Sequence, residues 1–503
     1  MPLIFNILRH LIVFLSNFFE VRRFFVTNLF IVLLLNLLVK PFWIFGIDRS
    51  VQNAVGSEEY GFYFALFNFT LILNILLDLG ITNYNNRNIA QHNQLLNKHL
   101  SNVLSLKIVL FLIYTIIVFA LAFIVKYNER QMYLIIFLVI NQFFLSLILY
   151  LRSNLSALHL FKTDSLISVL DRLIMIILCS LMLWTSLFSK PFTIEKFVYA
   201  QTVSYVIAAA IALWIVFKKS GKIYLHIDWQ FFIVFLKQSY PYALLILLMA
   251  FYNRIDGVML ERMLDNGKEQ AGIYAQSFRI LDAASMIAFL FSGLLLPMFS
   301  KMLKEKQDVY PLVQLSYKLI ILPVLVFLVI AITYAPQIMN LLYHHSDHYS
   351  TSIFRILIIG LFATSTTYIY GTLLTSNGNL KELNKMAFIT MLINIILNLI
   401  LIPRFQALGS AISSITAQLF AAFFQIYLSL NIFHFKLNKK FLLQLGFILL
   451  ITIFSACLVS LFISNWMLGS LIIIGISGIV ILLTKAIDIK MFLSVLHLKS
   501  AKE

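Results

Sequence analysis

Apolar runs of about twenty residues recur from one end of this chain to the other, each followed by only a short polar stretch. A helix of that length crosses the hydrocarbon core of a bilayer, and in lipid only a backbone whose hydrogen bonds close on themselves is stable. The pattern therefore predicts an all-α polytopic membrane protein with about fourteen transmembrane helices. At 61% hydrophobic and 12% charged residues, a soluble globule is excluded. No connecting stretch is long enough to hold a core of its own, so no extramembrane domain is expected.

Lysine and arginine gather in alternate loops, with Lys218, Lys219 and Lys222 in one, Lys301, Lys304 and Lys306 in another, and Lys436, Lys439 and Lys440 in a third. The positive-inside rule makes these loops cytoplasmic and places both termini on that side. They also account for most of the net charge of +17, so no nucleic-acid partner is invoked. Within residues 1–23 an apolar stretch is followed by Arg22 and Arg23 with no small-residue cleavage site, which reads as an amphipathic segment on the membrane surface. Cys179 and Cys457 lie inside apolar runs and read as packing residues. No G-x4-G-K-[ST] loop exists, so P-loop hydrolysis of ATP is excluded, and no cofactor is expected. His344, His345, Asp347 and His348 read as a solvated external loop and not as a metal site, because the spacing supplies no fourth ligand.

The chain is internally repeated. Gly56-Ser-Glu58-Glu-Tyr-Gly61-Phe-Tyr63 recurs as Gly267-Lys-Glu269-Gln-Ala-Gly272-Ile-Tyr274, both reading G-x-E-x-x-G-x-Y and both opening the second of two long apolar runs. Likewise the connection Leu155-Ser-Ala-Leu-His-Leu-Phe-Lys162 resembles Leu374-Thr-Ser-Asn-Gly-Asn-Leu-Lys381. Repeats of six helices enter the membrane in the same sense, which gives two six-helix bundles related by an axis along its normal. The expected organisation is an amphipathic segment over 1–23, a first bundle over 24–217, a basic linker over 218–232 and a second bundle over 233–431. Two additional helices over 432–485 and a cytoplasmic tail over 486–503 follow. Gly61 and Gly272 read as positions that permit close helix contact.

Asn253-Arg-Ile-Asp256-Gly-Val-Met-Leu, followed by the second motif copy and Arg279, resembles the polysaccharide-transporter branch of the multidrug/oligosaccharidyl-lipid/polysaccharide exporter superfamily. Leu76-Leu-Asp78-Leu-Gly80-Ile with Asn86-Arg87-Asn-Ile-Ala90, Pro403-x5-Gly409-Ser-Ala411 and the count of about fourteen spans are similar to that family as well. The resemblance covers nearly the whole chain. It implies a flippase, not an enzyme, in the bacterial cytoplasmic (inner) membrane. The implied cargo is an undecaprenyl-diphosphate-linked oligosaccharide, a repeat unit of O-antigen, capsule or exopolysaccharide. Implied partners are the lipid-linked oligosaccharide, membrane lipids and polysaccharide polymerase or ligase machinery, with the chain itself a monomer.

Ionisable groups inside spans cost roughly 2.5–3.5 kcal/mol each on insertion scales, so those present face a bundle interior or a hydrated cavity. Arg279, Arg254, Arg152 and Lys40 are the candidate cations for a diphosphate, since planar guanidinium groups hold phosphate oxygens by paired hydrogen bonds. Asn74, Asn394 and Asn398 are candidates for sugar hydroxyls, and Asp256, Asp282, Asp171 and Asp78 for coupling to protons or sodium. Helical spacing puts Arg279 and Asp282 on one face, as it does Thr70, Asn74 and Asp78, and Thr390, Asn394 and Asn398. The competing role for these charges is mutual neutralisation, Arg279 with Asp282, Arg254 with Asp256, and Arg172 with Asp171.

Three other functions are weighed against the flippase. An ion-coupled multidrug efflux transporter of the same superfamily would have twelve spans and an acidic lumen. A membrane polymerase, ligase or glycosyltransferase would need a large external loop with catalytic groups. A lipid II flippase is a near relative of the first reading.

Overall fold

The computed structural model describes residues 35–36, 38–82, 96–158, 160–185, 191–220, 229–344, 346–436 and 438–486. The expected amphipathic segment over 1–23, Asn86 and Arg87, and the tail beyond 486 lie outside these residues, as do most of the linker and most of the first span. Among the described residues the secondary structure is helical, without strands. After a π-helical turn at Trp43–Asp48 come α1 (Arg49–Ile72), a 3-10 turn (Asn74–Leu77), α2 (Leu96–Ile124), α3 (Glu129–Ala157), α4 (Phe161–Trp184) and α5 (Ile194–Ser220). Then follow α6 (Trp229–Met263), α7 (Gly267–Lys304), α8 (Tyr310–Thr333), α9 (Ala335–Leu342), α10 (His348–Ile358), α11 (Gly360–Ser376), α12 (Leu380–Ile432), α13 (Lys439–Phe462) and α14 (Trp466–Leu483).

Among the described residues eleven helical stretches, with α10 and α11 counted as one, are long and apolar enough to cross a membrane. Between them they carry the third to the fourteenth expected spans, because α12 holds two. Its 53 residues would reach about 80 Å as one helix, far beyond a hydrocarbon core of about 30 Å. The chain turns instead at Gln406 (φ 52°, ψ −130°), three residues after Pro403. Gly409 has no side chain to keep the second arm off the Leu401 carbonyl: a Cβ there would come within 2.4 Å of it. The second expected span is α1 with the 3-10 turn that ends it.

Two compact units are present, Met1–Ile47 with Leu76–Lys237 and Asp48–Ile75 with Gln238–Glu503. The stretch 48–75, which the sequence division includes in 24–217, groups with the second unit. In the first unit α5 packs on α3 and α4. In the second, α1 runs along α7, α11 lies against α7 and α12, and α13 pairs with α14.

The α1–α7 contact accounts for the sequence repeat. A Cβ on Gly61 would meet the Lys268 carbonyl oxygen at 1.8 Å and Gly272 N at 2.4 Å, and one on Gly272 would meet the Ser57 carbonyl oxygen at 1.9 Å. The two copies of the motif therefore cross each other at their second glycines, backbone on backbone, in the way small residues let membrane helices approach. Gly56, at φ 81°, bends α1 just before the crossing. Tyr63 and Tyr274 are both buried beside it, and Glu58 and Glu269 are both exposed.

Candidate functional site

In the second unit the deepest charge is Asp256 on α6, 1% exposed. Its Oδ1 accepts from Asn398 Nδ2 (2.7 Å) and Asn394 Nδ2 (3.1 Å), and its Oδ2 accepts from the Tyr274 hydroxyl (2.9 Å), with the Ser414 hydroxyl beside it. Thr390, Asn394 and Asn398 share one buried face of α12, as their spacing predicts. All three hydrogen bonds come from neutral donors, and no ion pair to Asp256 occurs among the described residues. Asn398 Oδ1, next to the carboxylate, has no hydrogen-bond partner. Arg254 cannot serve as its counterion, because residues two apart on a helix point to different sides.

Arg254 pairs instead with Asp282 of α7, Nη1 to Oδ2 at 3.1 Å and Nη2 to Oδ1 at 3.3 Å, a two-pronged contact. The guanidinium lies over the Phe278 ring at 5.0 Å. This pair lines a cavity of about 410 Å³ whose lining comes from the second unit alone, including Asn74, Tyr252, Asn253, Phe278, Tyr368 and Gln418. The face that the sequence drew through Thr70, Asn74 and Asp78 is not continuous, since α1 ends at Ile72 and Asn74 begins a 3-10 turn. Asn74 reaches the cavity, whereas Asp78 belongs to the first unit.

Arg279 is engaged away from that cavity. Its Nε donates to the Tyr60 hydroxyl at 3.0 Å and stands 3.5 Å from Asp48 Oδ2, while Nη1 is 3.9 Å from Asp282. Its guanidinium also lies over the rings of Phe64 and Phe67, at 5.6 Å from each. Asp48 is 2% exposed and accepts from Tyr60 and from Gln52 Nε2 as well. Nearby, Tyr343 donates to the Gln276 carbonyl, and burial together with the neighbouring Asp48 carboxylate pushes its phenol well above the usual range.

In the first unit Arg152 pairs with Asp164 at 2.7 Å, and Arg172 lies 3.6 Å from Asp171 with its guanidinium over Trp43 and Tyr205. The charges acting on Lys40 are Arg172, Arg152 and Asp171, yet Lys40 makes no hydrogen bond or ion pair with the described residues. Asp78 is held by Lys107, whose buried ammonium donates to Asp78 Oδ1 (3.0 Å), the Leu77 carbonyl (3.0 Å) and Ser146 Oγ (2.9 Å). All of its donors are used. It fastens the end of the 3-10 turn to α2 and α3.

Asp48, Tyr60, Lys107, Asp164 and Ser414 were not among the sequence candidates. Asp48 falls in what reads as a loop between spans, and no local spacing links it to Arg279. Tyr274 does carry a signal, as the last position of the repeated motif.

Residues 25–303 match the family described as polysaccharide biosynthesis protein, which is more than half of the chain. The chain belongs to that family. No curated protein sequence matches it. Among solved structures it is similar to the lipid II flippase MurJ in an inward closed conformation, with a TM-score of 0.66 at 19% identity over 92% of this chain and 100% of that one. A Vibrio cholerae MATE transporter, VcmN, solved as a point mutant, aligns with a TM-score of 0.57 at 14% identity over 80% of this chain and 97% of its own. A MOP superfamily transporter from Pyrococcus furiosus, whose binding pocket is of reversed polarity, gives 0.55 at 15% identity over 81% and 94%. At these identities the likeness is one of fold. The fold is thus one shared with a lipid II flippase and with multidrug and other MOP superfamily transporters.

Proposed function

We propose that the protein is a flippase for an undecaprenyl-diphosphate-linked oligosaccharide, a repeat unit of O-antigen, capsule or exopolysaccharide, in the bacterial cytoplasmic membrane. Family membership is the observation that carries this reading. The cargo crosses by alternating access, with both termini of the monomer in the cytoplasm, and polymerase or ligase machinery consumes it on the far side. Lys40 meets the diphosphate, supported by its lack of any partner among the described residues and by Arg152 and Arg172 as the cations acting on it. Lipid II is the second reading, favoured by the fold likeness to MurJ along that chain's full length.

Complementation tests both. Bacteria lacking an oligosaccharide flippase are expected to regain surface polysaccharide with the wild type. Lys40→Ala at matched membrane expression is expected to lower the recovery by roughly tenfold or more, the value of one charge-assisted hydrogen bond. Rescue of a lipid II flippase deletion instead would favour the second cargo. An unaffected Lys40→Ala removes Lys40 from the diphosphate site.

Transport is coupled to an ion held at Asp256, a reading supported by a buried carboxylate whose only bonded neighbours are neutral and by the orphaned Asn398 Oδ1 next to it. A cation that binds only the folded state raises its stability by about 2.7 kcal/mol at a hundred times its Kd. Purified protein is therefore expected to melt higher as sodium, or acid, is added, and Asp256→Asn to lose that rise while melting no lower in the absence of the ion. An undiminished rise in Asp256→Asn would sink the assignment.

A further inference from the structure

We infer that the cavity of the second unit is a site for an uncharged sugar ring and that the Arg254–Asp282 pair reads its hydroxyls, not the diphosphate. The sugar's source as part of the cargo rests on the flippase reading above; its chemistry is argued from the cavity itself.

The first argument is charge. Arg254 and Asp282 are the charged residues of the lining, and each of the two carboxylate oxygens already faces a guanidinium nitrogen, at 3.1 and 3.3 Å. A diphosphate entering here would meet a carboxylate before it found a free cation, and like charges brought into contact repel. A hydroxyl has no such conflict. It donates to a remaining lone pair of Asp282 while accepting one of the N–H groups that Arg254 leaves over, since guanidinium has five donors and a carboxylate about four acceptor positions. The pair is about a quarter exposed, at 23% and 27%, so these leftover positions are open to the cavity.

Gln418 adds a polar residue to the wall: it is 4% exposed and its Nε2 donates to Ser414 Oγ. The remaining wall suits the same ligand. Phe278 and Tyr368 offer ring faces, Asn253 offers a polar group, and about 410 Å³ lies within the range of roughly 300–1,000 Å³ usual for small-ligand pockets. Specificity then lies in hydroxyl pattern: a site built to hydrogen-bond a hydroxyl rejects a ligand without it far more strongly than an apolar pocket can.

The experiment uses the full chain with Cys179→Ala and Cys457→Ser and a single reporter, Thr367→Cys, in the cavity wall. Maleimide labelling of the reporter is followed with glucose, galactose, N-acetylglucosamine or inorganic pyrophosphate present. At least one of the three sugars is expected to slow labelling saturably, about threefold at twice its Kd since the rate falls as 1 + [L]/Kd, and pyrophosphate to have no effect. Asp282→Asn is expected to reverse the preference by freeing Arg254, so that pyrophosphate protects. Protection by pyrophosphate in the parent, or by none of the three sugars, overturns the inference, and the parent alone decides if Asp282→Asn does not fold. Sugar protection alongside failed complementation keeps the cavity and removes the cargo reading. Successful complementation without sugar protection does the opposite.

Discussion

Alanine at Gly61 or Gly272 is expected to destabilise the folded protein by about 3 kcal/mol or more, at the upper end of what overpacking costs. The new methyl group would stand 1.8 or 1.9 Å from a carbonyl oxygen of the opposing helix. Neither obstacle is a flexible side chain. Helices α1 and α7 would have to separate along their crossing, taking the Tyr63 and Tyr274 packing with them. The measurement is thermal unfolding of detergent-solubilised protein by loss of the monodisperse species, with Gly446→Ala as control. Nothing lies within 4 Å of a Cβ at Gly446, so that variant is expected to be neutral or slightly stabilised, since alanine favours helix over glycine by up to about 1 kcal/mol. Equal melting of Gly61→Ala and the control would show that the crossing is looser than its geometry implies.

Arg279→Ala is expected to be nearly as damaging, for an electrostatic reason. Asp48 is almost fully buried and Arg279 is its sole cationic neighbour among the described residues, at 3.5 Å. Removing one partner of a buried pair leaves the other charge uncompensated and costs about 3–5 kcal/mol. Pairing Arg279→Gln with Asp48→Asn removes both charges and is expected to recover most of that loss. The double variant thus separates structure from transport. If it is stable and still complements, Arg279 serves the fold; if Arg279→Ala melts like the wild type yet fails to complement, the guanidinium acts on cargo and the structural assignment is wrong.

How much of this was legible in the sequence depends on the range of the interaction. The membrane class and the span positions follow from hydrophobicity summed over about twenty residues, a local property, and the structure agrees with the class and with the third to the fourteenth span. So does the shared face of Asn394 and Asn398, because a four-residue spacing on a helix is also local. The face through Thr70, Asn74 and Asp78 did not survive, since it assumed an unbroken helix where α1 stops at Ile72. Partner choice was the least legible. Arg254, Arg279 and Asp256 were all identified as charges inside spans, but Arg254 reaches Asp282 on another helix and Arg279 reaches Asp48, 231 residues away in sequence. No spacing rule encodes such contacts. The repeated motif was visible, and its meaning emerged only when Gly61 and Gly272 proved to face each other.

The turn at Gln406 has a practical consequence for anyone mapping the topology of this protein. Lying between two membrane crossings, it looks like a natural place to splice a tag or a reporter. The Gln270 amide oxygen, however, accepts both the Tyr349 hydroxyl and the Ala407 N–H, and Tyr349 also donates to the Phe405 carbonyl. The turn is thereby laced to the start of α7 and the start of α10. An inserted peptide would cut those ties and shift two other helices, so a silent reporter there would record damage, not sidedness. The exposed turn over 305–308, between α7 and α8, is the better place, because its side chains are turned to solvent and its bonds run only to the adjoining ends of α7 and α8.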